Sequence, residues 1–139
     1  MNRTETKPAT MQKHNKTAAR EHEMKFRAGL DQFNTGRFFD AHETWEEIWL
    51  ASHEPEKTFL QGIIQIAAAF HHYQRGNLRG TRSLIEAGLR RLERFPAAHR
   101  GIELEHLRGS ARHWAAQLGA GHDPGHASLP RIHMTAKPA

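Results

Sequence analysis

Between Phe59 and Tyr73 the chain carries Leu60, Ile63, Ile64, Ile66, Ala67, Ala68, Ala69 and Phe70, a spacing that leaves almost no polar face. A helix that is apolar nearly all round is stable only when other helices surround it. This one segment therefore predicts a helix at the centre of a bundle, with the rest of the chain wrapped about it. Its polar exceptions are ordered. Gln61, Gln65, the Ala68/Ala69 position and His72 fall on one ridge of a helix with 3.6 residues per turn.

The flanking sequence supplies the surrounding helices. A first helix is expected over residues 18–34, with Met24, Leu30 and Phe33 as a sparse apolar stripe. Asn34-Thr35-Gly36 reads as its stop, Gly36 taking the left-handed C-cap. A second helix runs over residues 38–51, with Phe38, Ala41, Trp45, Ile48 and Trp49 at amphipathic spacings. Pro55 suits the first turn of the third helix. Gly76 ends that helix, and Asn77 begins a fourth with Leu78, Thr81, Leu84, Ile85, Leu89 and Leu92 inward, stopped at Phe95-Pro96. A weaker fifth helix spans residues 102–118 with Leu104, Leu107, Ala111, Trp114 and Leu118. No strand pattern competes.

Sliding the chain by forty residues aligns Gly36 with Gly76, Phe38 with Leu78, Trp45 with Ile85 and Trp49 with Leu89. That is the pattern of two stacked helical hairpins. The fold class is all-α: a compact bundle of about five helices, built as two stacked hairpins plus an extra C-terminal helix. The expected organisation is a disordered extension over residues 1–17, a single helical domain over 18–118, and a disordered tail over 119–139.

Charge is unevenly spread along the 139 residues, whose formal net charge is +5. Residues 37–60 hold two basic and six acidic side chains, whereas residues 75–100 hold seven arginines and two glutamates. The absence of cysteine excludes disulfides, thiolate metal sites and cysteine nucleophiles. No apolar run approaches the roughly 18 residues of a membrane span, and the N-terminus lacks a secretory signal. A cytoplasmic protein with no membrane partner is expected.

Chemistry concentrates on the second helix. His42 and Glu46 stand at i, i+4 beside the Trp45/Trp49 stripe, and Glu43 and Glu47 form a second such pair. Antiparallel packing of helices two and three would bring them to the Gln61/Gln65 ridge. The candidate polar cluster is then His42, Glu43, Glu46, Gln61, Gln65 and His71 or His72. Three readings suit it: a buried hydrogen-bond network, a metal site formed by His42, Glu46 and His72, or a small-molecule or acid/base site. The run His42-Glu43-x-x-Glu46 is not the His-Glu-x-x-His of zinc proteases. Only Glu103 to His106 has the Glu-x-x-His spacing of di-iron proteins, which need two. Trp45, Trp49 and Trp114 read as core. Gly80 and Gly88 within the fourth helix suggest close helix packing.

The motifs Phe33-Asn-x-Gly-x-Phe-Phe-x-Ala-His-Glu-x-Trp-Glu-x-x-Trp49, Phe59-Leu-Gln-Gly-Ile-Ile-Gln-x-Ala-Ala-Ala-Phe-His-His72 and Gly76-Asn-x-x-Gly80 together resemble the domain-of-unknown-function 309 family. The resemblance covers about residues 26–92. It implies an all-helical fold and a polar cluster on the His-Glu-x-Trp-Glu and Gln-Gly-Ile-Ile-Gln stretches, and it supplies no established activity. Position by position it falls on His42, Glu43, Glu46, Gln61, Gln65, His71, Asn77 and Gly80. Thr81 departs from the alanine more usual there.

The leading expectation is thus a non-catalytic ligand-binding or interaction module, with an unknown small molecule or protein as partner and no cofactor. A divalent metal at His42, Glu46 and His72, with Glu43 as base of a hydrolase-like enzyme, is the alternative. A further alternative is a nucleic-acid accessory protein using the helix-four arginines, from the set Arg75, Arg79, Arg82, Arg90, Arg91 and Arg94. No aromatic row accompanies them for bases to stack on, so nucleic acid is not the favoured partner. Assembly into a homo-oligomer stays open.

Overall fold

The computed structural model describes residues 9–136, with side chains described from Lys16 onward. Five α-helices follow one another: α1 (Ala9–Asn34), α2 (Phe38–Leu50), α3 (Glu56–Gln74), α4 (Leu78–Leu92) and α5 (Leu104–Gly119). The all-α expectation holds. The addition is a hairpin of two-residue strands, β1 (Ala98–His99) and β2 (Ile102–Glu103), between α4 and α5. It is too short to carry an alternating pattern that sequence could display.

α3 sits at the centre, as its composition demands. Phe59, Leu60, Ile63, Ile66, Ala67, Ala69 and Phe70 are fully buried. α2 and α4 each pack against it, α1 packs on α2, and α5 on α4. Around it close Phe26, Phe33, Phe38 and Trp45 from α1 and α2, and Ile85, Leu92, Leu107 and Trp114 from α4 and α5. Trp45 of α2 packs against Phe26 and Phe33 of α1, its indole N–H donating to the Phe26 carbonyl at 3.1 Å. The inward stripe of α1 differs from expectation. Phe26 is buried, whereas Met24 points to solvent at 64% exposure.

The two hairpin turns share one geometry. Gly36 and Gly76 both have φ +80°, a region that penalises any side chain. Each closes the same pair of hydrogen bonds: Gly36 N to Phe33 O with Arg37 N to Gln32 O, and Gly76 N to Tyr73 O with Asn77 N to His72 O. The forty-residue match thus marks two equivalent turns. The internal glycines have different reasons. At Gly88 an added Cβ would lie 2.9 Å from the Gly62 carbonyl, so this pair sets how closely α3 and α4 approach. At Gly80 it would instead meet the Asn77 side chain, which caps α4 by accepting from Gly80 N at 2.9 Å. Gly80 therefore makes room for a cap, and the expectation of close helix packing is corrected there.

Both ends depart from the expected boundaries. α1 starts at Ala9 instead of residue 18, so residues 9–17 are helical; residues 1–8 lie outside the described part. Residues 119–136 are a packed strap, in place of the disordered tail expected. Ile132 is 3% exposed, and its backbone N–H and C=O pair with the Asn34 side chain at 2.7 and 2.8 Å. Trp114 Nε1 donates to Ser128 O, and Ile102 bridges to Met134 beside the hairpin. The glycine-, proline- and histidine-rich composition concealed this, because the strap is held by long-range backbone pairing and a few apolar anchors, with no periodic face.

The strap's first anchor is titratable. The Tyr73 hydroxyl donates to Asp123 Oδ1 at 2.6 Å. Burial, and then the Asp123 carboxylate, push the phenol up to about 12. An unfolded tyrosine ionises near 10. A pKa raised on folding contributes stability that is complete below about pH 10 and lost as pH climbs toward 12. The unfolding midpoint in urea should therefore fall between those values, and Tyr73→Phe should flatten that fall. An equally steep decline in the variant would place the alkaline sensitivity elsewhere.

At the hairpin tip Arg100 takes φ +56° ahead of Gly101. Its guanidinium lies 4.2 Å from the Phe26 ring centroid and pairs with Glu23 and Glu56. These contacts tie the hairpin to α1 and α3.

Candidate functional site

α2 and α3 run antiparallel, and their polar ridges meet along one seam. At one end Lys57 of α3 places Nζ 4.5 Å over the Trp49 ring of α2. At the other the Phe39 and His71 rings approach to 5.1 Å. Two cavities open between these ends. The first, about 230 Å³, is lined by His42, Glu46 and Trp49 of α2, Gln61, Ile64, Gln65 and Ala68 of α3, and Leu84 of α4. The second, about 210 Å³, is lined by Phe39, His42, Ala68, His71 and His72. His42 and Ala68 belong to both, so the chambers adjoin.

His42 is held between two carboxylates. Glu46 Oε2 lies 3.5 Å from Nε2, and Glu43 Oε1 lies 3.4 Å from Nδ1. Neither contact has hydrogen-bond geometry, and Nδ1 is left without a partner. Glu43 itself stands outside both cavities with its side chain 57% exposed.

His71 and His72 part company despite their adjacency. His72 Nδ1 sits 3.1 Å from Asn77 Nδ2, while Asn77 Oδ1 is occupied in capping α4. The amide must therefore donate, so His72 Nδ1 accepts and its proton resides on Nε2. His71 packs on Phe39, and its imidazole pKa is lowered by burial first and by the Arg75 charge second.

Five buried side-chain polar atoms lack a hydrogen-bond partner among the described residues, and three belong to residues lining the first cavity: His42 Nδ1, Trp49 Nε1 and Gln65 Oε1. A buried polar atom without a hydrogen bond is costly, because it forgoes part of what water would give it. Sequence reasoning placed Trp49 in the core with Trp45 and Trp114. The latter two are fully buried with their indole N–H groups satisfied, while Trp49 is half-buried and unsatisfied at the seam. Its place at the end of the α2 stripe, flanked by Glu46 and Leu50, was the available signal. Phe39, at 50% exposure, and Leu84 of α4 were also unassigned as site residues.

The trio His42, Glu46 and His72 is divided: Glu46 lines one chamber and His72 the other. Among the described residues no group of three His, Cys, Asp or Glu side chains is placed to hold a metal ion. The arginines of α4 also separate. Arg79 and Arg82 flank a cavity under the strap beside His122, and Arg90 lines another with Arg108 and Arg112. No helix among the described residues is long and apolar enough to cross a membrane.

Fold and seam together define a small all-helical protein of two stacked hairpins around a polar interhelical groove. The family model described as Domain of unknown function (DUF309) matches residues 26–84, a span that contains every residue lining the two chambers. The resemblance read from the motifs is borne out over this segment. An uncharacterized protein of Aquifex aeolicus is 35% identical over 77 residues, 55% of this chain and 23% of that protein. The uncharacterized protein YpuF of Bacillus subtilis is 34% identical over 76 residues, 53% of this chain and 42% of that protein. The chain thus spans less than half the length of these curated relatives. No specific activity comes with them.

Proposed function

We propose that the α2/α3 seam is a ligand-binding site and that the chain is a binding module for a small polar molecule. One observation carries this reading: three of the residues that line a single cavity of about 230 Å³, His42, Trp49 and Gln65, each carry a buried polar atom without a hydrogen-bond partner. A structural polar network exists to satisfy its members, and half-satisfied it is worse than apolar packing. A binding site leaves them unsatisfied until the ligand arrives. Ile64, Ala68 and Leu84 supply the apolar wall that such sites combine with a few polar groups.

The two accounts differ in sign under mutation. Gln65→Met keeps the side chain's length and removes a buried acceptor that has no donor. If the seam is a ligand site, the variant gains up to about 1 kcal/mol in the absence of ligand, because an uncompensated desolvation cost disappears. If Gln65 is a network member, the variant loses about 1–2 kcal/mol instead. Urea unfolding of the two proteins side by side reads the difference, and a loss of that size would end the binding proposal.

A further inference from the structure

Another cavity lies apart from the seam, under the strap, and its charge is of the opposite sign. It measures about 280 Å³, near the lower end of the roughly 300–1,000 Å³ found for ligand pockets. Leu78, Arg79 and Arg82 of α4, Leu118 of α5, and His122 and Asp123 of the strap line it. Among the described residues Arg79 has no ion pair and no side-chain hydrogen bond. Arg82 has Glu86 alone, its Nε 3.4 Å from Oε2 without hydrogen-bond geometry. Three positions apart on one helix, the two arginines share a face with Cβ atoms about 5–6 Å apart. Their like charges oppose each other there, and Glu86 offsets only part of that repulsion.

The end of α5 places Arg82. A Cβ on Gly119 would lie 3.0 Å from both its Cζ and its Nη2, so the guanidinium lies over a glycine that leaves room for it. Helix capping does not explain this position. The last α5 carbonyls, of Ala116, Gln117 and Leu118, accept from the backbone N–H groups of Ala120, His122 and Gly121, and none accepts from Arg82. The carboxylate on the wall has other partners. Asp123 Oδ1 accepts from the Tyr73 hydroxyl at 2.6 Å and from Gly125 N at 2.9 Å. Two guanidinium charges outweigh it, and the exposed His122 imidazole adds an N–H donor. The cavity also opens at the first turns of α4, where the helix dipole favours an anion.

We infer that this cavity is an anion site for a phosphate monoester, its phosphate between Arg79 and Arg82 and its organic part against Leu78 and Leu118. A planar carboxylate is filled by one guanidinium fork, whereas the three outer oxygens of a phosphate can take two.

The full chain, ¹⁵N-labelled, would be titrated to about 10 mM with phenyl phosphate or benzoate at about 0.15 M ionic strength, where distant surface charges are screened. The backbone amide peaks of Gly119, Gly121 and His122 should move saturably with phenyl phosphate and far less with benzoate. Arg79→Gln and Arg82→Gln should each weaken binding about tenfold, the loss of a charge-assisted contact. Arg20→Gln, the same charge change on an exposed part of α1, should leave binding unchanged. Gly119→Ala tests the placement of Arg82. It keeps every charge and displaces only the flexible end of that side chain, so binding should weaken severalfold while the urea midpoint does not fall. No saturable shift with phenyl phosphate, or an equal weakening by Arg20→Gln, would overturn the site. Equal shifts with benzoate would overturn the phosphate assignment, and a Gly119→Ala protein that binds as tightly as the parent would overturn the role of Arg82.

Discussion

Gly29→Ala is expected to destabilise the protein by roughly 3 kcal/mol, at or above the top of the usual range for overpacking. Gly29 lies inside α1, where glycine would ordinarily be a weakness. Here a Cβ would sit 2.0 Å from Trp45 Nε1 and 2.5 Å from two further indole atoms. The indole cannot give way easily. It is fully buried, donates to the Phe26 carbonyl, and packs near the Phe26 and Phe33 rings at centroid distances of 6.5 and 6.1 Å. Moving it would disturb the aromatic cluster joining α1, α2 and α3. Gly109→Ala is the control, an exposed helical glycine on α5 whose Cβ would meet nothing within 4 Å. That change should stabilise by about 0.5–1 kcal/mol through helix propensity. Urea midpoints of both variants test the pair, and a Gly29→Ala protein as stable as the parent would refute the close indole packing.

Arg108→Met is expected to cost about 2–4 kcal/mol, the penalty for leaving buried acceptors unmet together with a broken charge-assisted contact. Arg108 is only 6% exposed. Its Nη1 donates to Leu92 O and Phe95 O, both at 2.7 Å, and its Nε to Glu105 Oε1 at 2.8 Å. One α5 side chain thus satisfies carbonyls at the end of α4, where the helix dipole also favours a cation. Arg108→Lys should recover only part of the loss, because an ammonium lacks the planar fork that reaches two carbonyls and a carboxylate together. Thermal or urea unfolding measures both, and a neutral Arg108→Met would show that water replaces the guanidinium at that helix end.

Neither residue could be found by pattern. Gly29 reads as an ordinary break in a sparse stripe, and Arg108 as one more arginine on a polar helix. Their roles depend on what another helix brings: Trp45 from α2 in one case, the C-terminal carbonyls of α4 in the other. The same limit explains the misplaced Met24 and the packed strap. A stripe of three apolar residues leaves the rotation of α1 undetermined until Phe26 docks on Trp45 and Phe59. The strap is fixed by partners far away in sequence, such as Asn34 for Ile132 and Tyr73 for Asp123.

The candidate site was legible to a similar depth. Amphipathic spacing put His42, Glu46, Gln61 and Gln65 on facing ridges, and antiparallel packing brings those four to one cavity. Spacing could not divide the seam into two chambers. Nor could it move Glu43 outside both, or commit His72 to Asn77.

The sequence by itself determined the helical architecture, because hydrophobic periodicity is local and the near-uniform apolarity of α3 allows only a central position. It also determined the two equivalent turns, because glycine adopts at least cost the left-handed φ that Gly36 and Gly76 take. Tertiary structure alone decided which polar groups end without partners. Hydrogen-bond satisfaction depends on the few ångströms between side chains of different helices, and no periodicity encodes that distance.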